Sequence, residues 1–278
     1  MTVAYRGSLS GFWFKALPVW RCKVWIRLFA LCLAQLATAQ TTTPDTRKSG
    51  LSYLSPSLQA LQADASQNPA SLWVERGQVL MQVQCAGCHA AASLNKVAST
   101  FPKLNASKVL INLEDQIASC LKRVDPTQTH SLESERILSL SAALHQAAKG
   151  EVIQLNRPAH PTNTNTAAAS VWQDFYNQGE ALYTTRMGRI NLACAHCHDD
   201  KVGAQMRGDV VSQAQPTGFP IYRMAWQGMG SIDRRLRACY SGVQAPLPAV
   251  GATELRVLEL FLKVRAEGMA LDGPSVRR

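Results

Sequence analysis

Cys85-Ala86-Gly87-Cys88-His89 and Cys194-Ala195-His196-Cys197-His198 repeat one pattern: two cysteines three positions apart with a histidine directly behind the second. Nothing else in the chain limits its possible folds so tightly. On a helical turn, two thiols at this spacing reach the two vinyl groups of one porphyrin, and the next residue presents its imidazole to the iron from the same side. C-x-x-C-H therefore reads as a site of covalent haem attachment. A redox dithiol or a zinc half-site would use the cysteines but leave each histidine unexplained. Two such sites predict two haem c groups, held through Cys85 and Cys88 and through Cys194 and Cys197, each adding apolar volume to a small domain.

Haem is attached in this way after export, and the N-terminus agrees. Arg6, Lys15, Arg21, Lys23 and Arg27 occur with no acid before the apolar run from Leu28 to Ala37, which ends at Ala37-Thr38-Ala39. This is the pattern of a secretory signal peptide over residues 1–39, with Gln40 as the first mature residue. The apolar run is roughly half of what a helix needs to cross a bilayer, so no membrane span is expected. Without the leader, 24 basic residues stand against 19 acidic ones, a net charge of +5 rather than +10. No Lys/Arg run or basic aromatic motif remains, and nucleic-acid binding is not expected. Cys22 and Cys32 leave with the leader. The other six cysteines belong to a chain long enough to need no disulfides, so they are read as chemistry first.

The chain also repeats itself. Leu113-x-x-x-Ile117-x-x-Cys120 matches Ile232-x-x-x-Leu236-x-x-Cys239, and Arg136-Ile137-Leu138 aligns with Arg256-Val257-Leu258. Each haem motif thus has one lone cysteine after it, 31 and 41 residues beyond its histidine. Apolar residues at helical spacing predict helices over 73–84, 113–122, 134–148, 171–182, 232–240 and 253–267, and no run alternates as a strand would. The expected fold is mainly α: two cytochrome c-like helical domains in tandem, related by internal duplication, with an extended N-terminal arm. The boundaries read as an arm over 40–70, a first haem domain over 71–156, a linker over 157–170 and a second haem domain over 171–278, the linker being marked by Thr, Asn and two prolines.

His89 and His198 supply one axial ligand to each iron, and the opposite position decides the chemistry. Met206, Met224 and Met229 are candidates in the second half. Cys120 and Cys239 are candidates at matching places in both, and a structural thiol or a Cys120 to Cys239 disulfide stays open. Arg235 stands four residues before Cys239, one helical turn away, where the first copy has Gln116. A guanidinium beside a thiolate lowers its pKa and offers a planar fork to an oxyanion. A unit charge pair at about 4 Å gains roughly 4 kcal/mol before desolvation at a dielectric near 20, enough to recruit a small anion to Cys239 and not to Cys120. With Arg234 and Arg237 beside it, Arg235 also fits a plain solvated basic face.

Over roughly Ser71 to Gly268 the chain resembles the SoxA family, dihaem c-type cytochrome subunits of the periplasmic SoxAX complex of thiosulfate oxidation. The likeness is sharpest at Cys194-x-x-Cys-His198, Arg207-Gly208, Gly218-Phe219-Pro220-Ile221-Tyr222-Arg223, Trp226 and Arg234-Arg235-Leu236-x-x-Cys239. The resemblance implies that Cys239 is both axial ligand and catalytic cysteine, carried as a persulfide, that Arg235 binds substrate, and that Cys120 is the distal ligand of the first haem. It further implies an L-cysteine S-thiosulfotransferase that joins thiosulfate to a cysteine of a SoxY-type sulfur-carrier protein, works with a SoxX-like cytochrome subunit and passes two electrons to cytochrome c. A plain dihaem electron carrier and a thiosulfate dehydrogenase forming tetrathionate are the competing readings.

Overall fold

The computed structural model describes residue 2, residues 45–158 and residues 167–278. The signal-peptide reading over 1–39 and most of the linker lie outside the described residues. The remainder from Arg47 onward forms one compact unit.

Each repeat is built on one packed helix pair. In the first, α2 (Ala70–Gln84) lies against α4 (Glu135–Ala147). In the second, α5 (Ala167–Thr184) lies against α8 (Thr253–Arg265). Both crossings depend on a glycine. A Cβ on Gly77 would stand 1.9 Å from the Ser139 carbonyl oxygen, and one on Gly179 would stand 2.1 Å from that of Val257. Ser139 and Val257 are each the fifth residue of their helix, so they are the equivalent positions. This corrects the alignment of Arg136 with Arg256 by two residues. Arg136 bonds Gln128 at the surface, whereas Arg256 is 3% exposed.

The helices that carry the lone cysteines are α3 (Leu113–Val124) and α7 (Ile232–Gly242), and each places its cysteine eighth. Asn112 caps α3, accepting from the Asp115 backbone while Asp115 accepts in return from the Asn112 backbone; Ser231 caps α7 by accepting from the Arg234 N–H. Such caps fix where a helix begins and therefore which face its eighth residue presents. Arg256 joins the two starts. Its guanidinium donates to Asp115 at 2.5 and 2.8 Å and to Asp233, on the first turn of α7, at 2.6 Å. The main core likewise draws on both halves, with Leu113, Ile137, Leu140 and Leu144 packed in one cluster with Trp172, Val257 and Leu260.

Two findings depart from the sequence-based expectation. The arm is not extended throughout: it contains a 3₁₀ turn at Gly50–Tyr53 and a helix, α1 (Pro56–Ala63), with Pro56 in the first turn behind the Ser55 cap. Strands are also present. Two are paired as β1 (Lys103–Leu104) with β2 (Leu110–Ile111), and two as β3 (Gln205–Met206) with β4 (Asp209–Val210). A three-stranded sheet sets β5 (Ile221–Arg223) between antiparallel β6 (Gly228–Gly230) and parallel β7 (Ser275–Arg277). Segments this short show no alternation for periodicity to detect. Among the described residues no helix is long and apolar enough to cross a membrane.

Candidate functional site

Cys194–His198 forms a single helical turn, α6, after the loop that follows α5. His196, the extra histidine of the motif, accepts the Ala193 N–H at 2.9 Å and so is occupied in closing that turn. His198 donates from Nδ1 to the Ser212 carbonyl oxygen at 2.7 Å. That bond fixes the ring through Nδ1 and leaves Nε2 as the nitrogen that can turn to a metal once it carries no proton.

His198 faces a cavity of about 440 Å³ that is also lined by Arg235 and Cys239 from α7, with Phe219, Ile221 and Leu262 among its apolar walls. Helix α7 brings Arg235 and Cys239 there together because they lie one turn apart. Burial pushes the Cys239 thiol up, but the Arg235 guanidinium, a hydrogen bond and charge from His198, and Arg223 together bring it down to about 7 from the usual 9.0. Cys194 shows the opposite balance: burial first, then the charge of Cys239, pushes its thiol up to about 11.

The residues fit a haem. All six described cysteines are free thiols, so the attachment pairs are unbridged and the Cys120 to Cys239 disulfide does not form. The cavity holds an imidazole and a sulfur, and on its wall the side-chain oxygen of Gln215 is buried without a partner. None of the methionine candidates lines it. Met206 is 51% exposed on β3, and Met229, 1% exposed, packs with Val74 and Leu138 in a separate cluster.

In the first repeat the Cys85 to Cys88 turn follows directly on α2, with the His89 N–H bonded to the Cys85 carbonyl at 2.9 Å. Burial raises the Cys85 thiol, assisted by the charges of Cys120 and Cys88. Cys120 accepts from Gln116 Nε2 at 3.3 Å and from Arg123 Nη2 at 3.1 Å. The contrast drawn between Arg235 and Gln116 thus missed a cation: Arg123, three residues after Cys120, supplies the first sulfur with a guanidinium of its own. Helical spacing alone would have found it. Cys88 and His89 are exposed.

Sequence reasoning gave no role to Arg223, met only within a motif, and missed Arg277; both reach the cavity of the second repeat, from β5 and β7. Arg223 is held by the carbonyl of Arg278 at 2.7 Å and by Asp209 at 3.4 Å. No local pattern links residues 55 positions apart that meet only through a parallel strand pair.

Residues 70–153 match the family model described as SoxA/TsdA, cytochrome c domain. A protein of Pseudaminobacter salicylatoxidans, named L-cysteine S-thiosulfotransferase subunit SoxA, is 32% identical over 227 residues, 78% of this chain and 76% of that one. The chain belongs to the SoxA family. A SoxA of Paracoccus pantotrophus with the same full name is 28% identical, over 84% of this chain and 80% of its own. The fold agrees with a solved structure titled as SoxXA from P. pantotrophus, at a TM-score of 0.74 and 24% identity, covering 84% of this chain and 87% of that one. This SoxA chain is accordingly a c-type cytochrome, and its cofactor is covalently bound haem c.

Proposed function

We propose that this SoxA chain is the catalytic subunit of an L-cysteine S-thiosulfotransferase that couples thiosulfate oxidatively to a cysteine of a SoxY-type carrier. The observation that carries the reading is one cavity lined by His198, Arg235 and Cys239, with the Cys239 thiol at about 7. A nucleophilic sulfur and an oxyanion fork one turn apart suit a substrate that is a sulfur atom bonded to a sulfonate.

Arg235 binds the sulfonate oxygens and orients the outer sulfur toward Cys239. Cys239 receives and relays sulfur, as a persulfide in its resting form. Overall, the carrier thiol and thiosulfate give a carrier S-thiosulfonate, one proton and two electrons, with one S–S bond formed between the carrier sulfur and the outer sulfur of thiosulfate. Haem iron supplies a one-electron acceptor beside these groups. A SoxX-like cytochrome subunit bound as a heterodimer and a cytochrome c acceptor carry the electrons away. His198, fixed by Ser212, and Cys239 would hold the iron of a haem attached at Cys194 and Cys197, and His89 and Cys120 that of a haem attached at Cys85 and Cys88. Two haem-binding repeats, over 71–156 and 171–278, and export to the periplasm behind a cleaved leader complete the proposal.

The plain electron carrier would need methionine or histidine opposite His198, and the cavity offers no methionine. The test is Cys239→Ala in the complex with its cytochrome partner. Thiosulfate-dependent reduction of cytochrome c in the presence of carrier should be lost while intact mass still counts two haems. Retained turnover would refute the mechanism, and so would rapid tetrathionate formation by the unaltered complex without carrier.

A further inference from the structure

Most arginines around the second cavity are committed to partners. Arg223 is bound as described, Arg234 stacks on Trp226 with its charge 4.3 Å from the ring centre, and Arg237 donates to the Pro248 carbonyl at 2.9 Å. Arg235 and Arg277 line the cavity, and neither forms an ion pair among the described residues.

Arg277 is positioned with unusual care for an unpaired cation. Its Nη1 donates to Gln62 Oε1 of α1 at 3.0 Å and to the Val276 carbonyl at 2.7 Å. Its Nη2 lies where a Cβ on Gly218 would be 3.0 Å away and one on Gly50 3.1 Å away, so two side-chain-free backbones leave it room. Nη2 and Nε have no hydrogen-bond partner among the described residues. Burial pushes the guanidinium down to about 10; the charge of Asp272 opposes this and that of Arg235 adds to it. Close by, the hydroxyls Thr217 Oγ1 and Ser275 Oγ, both able to donate, are buried and unpartnered, as are the acceptors Gln215 Oε1 and Asp272 Oδ1. Gln215 faces the same cavity, and Ser275 Oγ would be 2.8 Å from a Cβ on Gly218. A half-buried cation with free donors, beside two unpartnered hydroxyls that can donate, marks the place of an absent anion.

That anion is set apart from the reacting sulfur by the fold: Arg235 and Cys239 enter the cavity from α7, whereas Arg277 enters it from β7. Arg277 instead belongs to the wall that the arm builds with Gly50, Tyr53 and Leu58. A porphyrin tethered by Cys194 and Cys197 along one edge carries its two propionate carboxylates along the opposite edge. Cys194 packs with Leu236 and Tyr240, and neither attachment cysteine belongs to the arm wall.

We propose that Arg277, held in place by Gln62 of the N-terminal arm, is the anchor for a propionate of the second haem. The arm thereby latches the open edge of the cofactor, and residues 47–63 become part of the haem site. This rests on the reading that a haem is attached at Cys194 and Cys197.

The test compares Arg277→Gln with the unaltered holoprotein in its complex. Intact mass first establishes two haems in both; a single haem in the unaltered protein would overturn the underlying reading rather than the role of Arg277 alone. The expected result is a shift of the propionate bending bands in the resonance Raman spectrum and a lower midpoint potential for one haem, since a positive charge has been removed beside it. Any kinetic loss should fall on kcat, with KM for thiosulfate moving by less than about twofold. Unchanged bands and potential would overturn the proposal. So would unchanged bands with a KM raised tenfold or more, which would assign Arg277 to the substrate sulfonate. Gln62→Leu, which frees Arg277 without removing its charge, should shift the same bands in the same direction by a smaller amount, and no shift there would remove the arm from the site.

Discussion

Arg235→Ala removes the one cavity-lining guanidinium that stands a turn from Cys239 and has no acid partner. Because Arg235 is half-buried, its attraction for a sulfonate is only partly screened. Roughly 4 kcal/mol of Coulomb energy at about 4 Å, reduced by desolvation of both ions, leaves about 2–3 kcal/mol in the transition state. That corresponds to a loss of roughly 30- to 150-fold in kcat/KM for thiosulfate. The assay is thiosulfate-dependent reduction of cytochrome c by the complex with carrier present, at fixed ionic strength, with the haem absorption spectrum recorded on the same sample. Arg235→Lys keeps the charge but loses the planar fork, and should recover only part of the activity. A variant Arg235→Ala with an unchanged spectrum and kcat/KM within about threefold of the parent would refute the substrate role and leave a solvated basic helix face.

Arg256→Met should cost about 3–5 kcal/mol in urea or thermal unfolding of the holoprotein, because Asp115 and Asp233 would lose their shared cation while Asp233 stays buried. Adding Asp233→Asn should restore part of the loss, and a single-variant cost under about 1 kcal/mol would show that the clamp is not what ties the helix starts together. Glu133 gives a pH signature. Burial, with the charges of Glu114 and Asp233 behind it, pushes its carboxyl up to about 7 although Ser231 donates to it. The folded state therefore holds this proton more tightly than the unfolded one, so its contribution to stability is present below about 4.5 and is lost as pH rises through 7. Glu133→Gln should flatten the pH dependence of unfolding over that window, and an unchanged profile would contradict the burial of the acid.

The parts of the site that were legible in the sequence are those set by local geometry. Helical spacing places Arg235 beside Cys239, and the cap residues Asn112 and Ser231 put both lone cysteines at the same turn of their helices. The same rule applied forward along α3 would have supplied Arg123. What lay beyond reach depends on chain reversal. Arg277 enters the cavity only because residues 275–277 pair with β5 and because Gln62, 215 positions earlier, receives its charge. The register of the last helix in each repeat was misread for a related reason. Arg136 and Arg256 look alike in sequence, yet the closest backbone contact, made by Gly77 and Gly179, selects Ser139 and Val257 instead.

Duplication of a haem site does not by itself make two catalytic sites, and the hydrogen bonds around the two lone cysteines separate the copies. Around Cys120 the donors already point at sulfur: Gln116 and Arg123 both bond it, so the nearest cation is occupied by the sulfur itself. Donors directed at a thiolate withdraw charge from it and weaken it as a nucleophile. Around Cys239 the hydrogen bond comes from His198 instead, and the guanidinium is not used for it. The Arg235 guanidinium makes no hydrogen bond among the described residues, while its charge, with those of His198 and Arg223, lowers the thiol to about 7. One guanidinium can therefore keep the sulfur anionic and remain free to take an oxyanion. The cavity that Cys239 shares with His198 adds room for a small substrate beside it. Exchanging the pattern, by Arg123→Ala together with Gln116→Arg, would give the first repeat a free guanidinium one turn before its cysteine but still leave it without the arm and β7 wall. Thiosulfate-dependent turnover should stay absent in that variant when Cys239 is replaced by alanine, and its appearance would mean that the cysteine and arginine suffice without the enclosing cavity.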